Sequence, residues 1–126
     1  MSAKVGTGGE PLVAVICEVP LLAEALAASL EGIAQIRSFP AELEDLEGLL
    51  RSLEPDAIVV DTEAQAVAGA PFAREAHVPL VHVLIRQGEL RVLRNGEWES
   101  RDNGKGASPE AIRNLLVAGI FGRQPT

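Results

Sequence analysis

Short aliphatic runs alternate with amphipathic stretches along most of this chain, and that alternation limits the folds open to it more than any other feature. Leu12 to Cys17 reads LVAVIC, an apolar run too short for a helix and rich in β-branched residues, so it predicts a buried strand. Pro20 follows, suited to a first helical turn. Leu22, Leu26, Leu30 and Ile33 then recur at helical spacing, with Gly32 marking the helix end. Ala34 to Phe39 predicts a second strand. Leu43, Leu46, Leu49, Leu50 and Leu53 form a second helical stripe, with Glu42, Glu44, Asp45 and Glu47 opposite it, mainly in the half where the helix dipole favours acids. Pro55 closes that helix, and Ala57 to Val60 (AIVV) predicts a third strand ending at Asp61.

Thr62 to His77 is Ala-rich but interrupted by Gly69 and Pro71, which predicts a short or broken helix. Val78 to Ile85 reads as a fourth strand. Leu90–Arg94 and Glu97–Ser100 flank Asn95-Gly96, the strongest short-range signal for a two-residue β-hairpin. In that register Arg94 faces Glu97 and Leu93 faces Trp98, both favourable cross-strand pairs. A helix over the same stretch is the rival reading. Ser108-Pro109 combines an N-cap with a first-turn proline. Ile112, Leu115, Leu116 and Ile120 continue as a final helical stripe.

This order predicts one α/β domain over residues 12–121, with a mostly parallel sheet covered by helices on both faces and tails at 1–11 and 122–126. A length of 126 residues suits one domain. The apolar content, 47%, is chiefly Leu, Val, Ala and Ile, with no Tyr, as strands buried on both faces require.

Charge narrows the partners. A net charge of −7 argues against both a phosphate-backbone binder and an anionic membrane surface. We therefore expect neither nucleic acid nor membrane as a partner. No apolar run approaches the roughly 20 residues of a membrane span, and the Gly-rich start lacks the apolar core of a signal peptide. Cys17, the single cysteine, offers no intramolecular disulfide and no zinc cluster. A cytoplasmic location is the expectation that follows.

Three segments, in order, resemble LuxR-type response-regulator receiver domains, and the resemblance covers roughly residues 12 to 120. Val15 to Leu26 (VICEVPLLAEAL) looks like the opening strand, its acidic pair and the first helix. Pro55 to Asp61 (PDAIVVD) looks like the third strand, which in the family ends in the phosphorylated aspartate. Lys105 to Glu110 (KGASPE) looks like the entry to the last helix, with the active-site lysine. The resemblance implies a flavodoxin-like three-layer sandwich with strand order 2-1-3-4-5, here with the fourth helix replaced by the hairpin. It makes Asp61 the candidate phosphoacceptor, with Cys17, Glu18 and Lys105 around it. A magnesium ion is implied only if that pocket is active, with Glu18 and Asp61 as its candidate ligands.

Departures from the family pattern shape the functional expectation. Where the family has two acids, this chain has Cys17-Glu18: a soft thiol unsuited to magnesium, and a carboxylate one methylene longer than aspartate. Val83, Leu84 and Ile85 stand where a switch hydroxyl belongs. The expected function is a pseudo-receiver, a phosphorylation-independent protein-interaction module and not an enzyme, with no resident cofactor and with no DNA-binding segment after residue 122. One alternative is an atypical receiver phosphorylated at Asp61 with a divalent cation. Another is a flavodoxin-like small-ligand binder.

The remaining candidates have bland rivals. Cys17 suits a small buried hydrophobe better than a redox sensor. His77 and His82, five apart around a strand, point to opposite faces and do not share a metal. No serine lies in a GxSxG context, and Gly6, Gly8 and Gly9 precede a strand where a phosphate loop would follow one. Leu90, Val92 and Trp98 are interface candidates, if exposed together, and the hairpin edge could pair with a second copy in a homodimer.

Overall fold

A computed structural model describes residues 11–41, 44–84, 86–94, 96–101 and 108–121. Six strands form one mixed sheet: β1 (Leu12–Cys17), β2 (Gln35–Pro40), β3 (Ala57–Val60), β4 (Leu80–Leu84), β5 (Glu89–Arg94) and β6 (Glu97–Arg101). Four helices connect or flank them: α1 (Pro20–Ser29), α2 (Leu46–Leu53), α3 (Glu63–Ala76) and α4 (Pro109–Phe121). The strand order is β2-β1-β3-β4-β5-β6. The first three pairings are parallel; β4–β5 and β5–β6 are antiparallel. Among the described residues no helix is long and apolar enough to cross a membrane.

Each run of alternating side chains feeds two cores. On one face Val13, Val15, Ala57, Val59, Val81, Val83, Leu90 and Val92 pack beneath α1 and α4, which contribute Leu22, Leu26, Leu30, Ile112 and Leu116. On the other, Ala14, Ile16, Ile58, Val60, Leu80 and Leu93 meet Leu46 and Leu50 of α2 and Ala66, Ala70, Phe72 and Ala73 of α3. Full burial of one Leu or Ile contributes about 1.5–3 kcal/mol, so the two-sided aliphatic strands are what hold the sheet.

The hairpin has the register its sequence predicts, Arg94 opposite Glu97 and Leu93 opposite Trp98, with Gly96 at φ +82° in the turn. It follows β4 in the chain, where the resemblance implies a fourth helix, and it extends the sheet, because β5 pairs antiparallel with β4. The final helix also starts as expected, with the Ser108 hydroxyl accepting from the Ala111 amide.

The expected short or broken third helix is overturned. α3 runs for 14 residues, longer than any other described helix. Thr62 caps it by accepting from the Gln65 amide, and His77 closes it in a left-handed conformation. Pro71 leaves the Val67 carbonyl without its helical donor, and Val67 lies on the solvent side, 67% exposed, where water can serve that oxygen. Gly69 is there for closeness: a Cβ at that position would come within 3.0 Å of Leu80 Cδ1, so its absence lets α3 press onto β4. His77 is therefore a helix cap and not a residue flanking a strand face. Leu43 and Glu42 of the expected second stripe fall outside the described residues, and α2 begins only at Leu46, capped by Asp45.

Candidate functional site

Parallel pairing of β1 with β3 puts Ile16 beside Val60, so the residues just beyond, Cys17-Glu18 and Asp61, meet at the carboxyl edge of the sheet. Open α/β sheets place ligand sites at that edge. Asp61, half-buried there, turns back onto the chain. Its Oδ1 accepts from the Glu18 amide at 2.8 Å, and its Oδ2 accepts from the Glu18 amide at 3.0 Å and the Val19 amide at 3.2 Å. Val19 is the N-cap of α1, and no side chain of its own caps that helix. Asp61, 42 residues away in sequence at the end of the neighbouring strand, accepts instead from the amide of the N-cap residue itself.

The rest of the loop is closed by its own groups. The Val19 carbonyl accepts from the Leu22 amide at 3.1 Å and from the Cys17 thiol at 3.2 Å. Burial, and secondarily the Asp61 charge, pushes the Cys17 thiol up, so it stays protonated at neutral pH. Cys17 is thus the buried small hydrophobe expected of it, with a weak donor bond. Beside it a hollow of about 280 Å³ opens between α1 and the end of β2, lined by Glu24, Ser38 and Phe39 among others.

These residues do not fit a magnesium ion. A hard cation wants several oxygen ligands. Here one position is a protonated thiol, and both Asp61 oxygens are already engaged by main-chain amides. Among the described residues no group of three or more His, Cys, Asp or Glu could hold a metal ion. Lys105 and Ile85 lie outside the described residues. Val83 and Leu84 end β4 without a hydroxyl.

The interface candidates are split by the sheet. Leu90 and Val92 are buried beneath α4, so they are withdrawn as surface residues. Trp98 projects to the opposite face, 36% exposed, with its ring edge-on to His82 at 6.4 Å between centroids. The exposed apolar residues nearest the Asp61 clamp are Val19 and Leu21, and Leu21 is 70% exposed. The sequence reading passed over that pair, although Leu21 falls outside the Leu22–Leu26–Leu30 stripe and so had to face solvent.

Compared with known proteins, the chain matches no family model, no curated protein and no solved structure at a significant level.

Proposed function

We propose that this chain is a pseudo-receiver: a flavodoxin-like signalling domain that engages a protein partner without being phosphorylated. The observation that carries this reading is the Asp61 carboxylate, held by three hydrogen bonds from the amides of Glu18 and Val19. Such bonds occupy the oxygens that would attack phosphorus. An acid engaged in this way anchors the loop that leads into α1. The parallel part of the sheet, β2-β1-β3-β4, has the order the receiver resemblance implies, and it supports the flavodoxin-like reading.

The clamp also fixes what the loop presents. Val19, Pro20 and Leu21 stand exposed at the start of α1, and the Val19 amide is held by Asp61 from the end of the neighbouring strand. An apolar contact on a rigid loop suits a protein partner, because little ordering entropy is lost on docking.

Incubating the protein with magnesium and acetyl phosphate, followed by intact-mass analysis, tests this reading. The expected result is no phosphoryl adduct. An adduct that disappears in Asp61→Asn would overturn it in favour of a working receiver.

A further inference from the structure

On the α2–α3 face, α3 reaches β5 at Leu93 but leaves part of the hairpin open. α3 covers β3 and β4, and β4, β5 and β6 carry His82, Arg91 and Trp98 on that same face, Arg91 opposite His82 and Trp98 opposite Leu93. Between them and α3 lies a groove of about 240 Å³, whose α3 wall includes Glu63, Ala70 and Arg74. The Arg74 guanidinium donates through Nε to the Gly96 carbonyl at 3.4 Å and so ties the helix to the hairpin turn.

His82 is the anomaly. It is 4% exposed and lines the groove, yet neither ring nitrogen has a hydrogen-bond partner among the described residues. A buried polar group left without a partner costs about 1–3 kcal/mol, and native proteins rarely keep one without a reason. Burial, then the Arg91 charge, holds the imidazole below its ordinary range against the opposite pull of Glu63 and Asp61. It is therefore neutral at pH 7, with one nitrogen to donate and one to accept. Arg91 likewise has no ion-pair partner among the described residues. Two guanidiniums against one carboxylate give the groove a local positive excess in a chain of net charge −7.

We propose that this groove binds a small aromatic carboxylate, its ring between Trp98 and the Ala70–Pro71 surface of α3 and its carboxylate on Arg91 and the free nitrogen of His82. A guanidinium fork matches a carboxylate in plane, and the indole offers a flat apolar wall. The size favours one or two rings, since the volume lies just below that of sites for drug-sized ligands. This site is separate from the Asp61 clamp and does not depend on the pseudo-receiver reading.

Titration of the full chain with benzoate and 2-naphthoate, followed by amide and indole N–H NMR shifts, tests the proposal. Trp98 is the only tryptophan, so its indole signal is unambiguous. Saturable shifts are expected at Trp98, Arg91, His82 and along 63–74. Arg91→Gln should weaken binding at least about tenfold, the loss of one charge-assisted hydrogen bond, with its melting temperature unchanged. A second variant, Trp98→Leu, should weaken 2-naphthoate more than cyclohexanecarboxylate. Shifts that do not saturate, affinity unchanged in Arg91→Gln, or equal binding of benzylamine would each overturn the proposal.

Discussion

Asp61 and His82 sit on neighbouring strands, at the end of β3 and within β4, and the chain treats them in opposite ways. The Asp61 carboxylate is answered by its own backbone, two amides placed at 2.8 to 3.2 Å by the turn into α1. His82 is far more buried, and it faces an Arg, a Trp and a groove with no hydrogen bond from any described residue. The residue that resembles a reactive centre is engaged in structure, while the histidine set aside as a metal ligand is the one left with spare hydrogen-bonding capacity. Polar satisfaction separates the two more sharply than position at the sheet's carboxyl edge does.

That contrast can be broken in several places. Leu80→Ala should cost about 2–5 kcal/mol and damage both sites together, because Leu80 is fully buried beneath α3, two residues before His82; urea denaturation measures it. Asp61→Ala should cost about 1–2 kcal/mol by loss of its charged acceptors, with Asp61→Asn costing less. The same change should lower the Cys17 thiol pKa, since Asp61 is one of the charges holding it up; the pH dependence of alkylation rate reads this directly. Thr62→Ala should cost about 1 kcal/mol by uncapping α3, and should loosen the groove wall at Glu63 in hydrogen exchange.

The smallest change has the opposite sign. His82→Leu should leave stability unchanged or raise it by up to about 1 kcal/mol, because an unsatisfied polar group gives way to an apolar one. Its pH signature is specific. The folded imidazole titrates below its unfolded value, so the unfolded chain binds the proton first as pH falls. Stability is full above about pH 6.5 and declines as pH drops from there through the folded value. His82→Leu should remove that decline. A variant clearly less stable than wild type at pH 7 would mean that His82 is as fully partnered as Asp61.

Much of the fold was legible because it is local. LVAVIC and AIVV are strands on any reading, Asn95-Gly96 permits little but a hairpin, and Ser108 caps the last helix as its type suggests. α3 was misread because Gly69 and Pro71 weaken a helix locally, whereas here the glycine is required by contact with Leu80 and the proline's lost bond faces water. The Asp61 clamp joins residues 42 and 43 apart and leaves no local signature. The burial of Leu90 and Val92 was within reach: hairpin parity puts them opposite Leu93 and Trp98, so the three candidates could never share a surface.

The amides of Glu18 and Val19 report most directly on whether Asp61 is a clamp or a phosphoacceptor. Their NMR signals, recorded with and without magnesium and acetyl phosphate, should stay in place and remain protected from exchange, and both should lose protection in Asp61→Ala. Signals that shift on adding magnesium and the phosphodonor, together with loss of protection in the wild-type chain, would contradict the clamp and return Asp61 to chemistry.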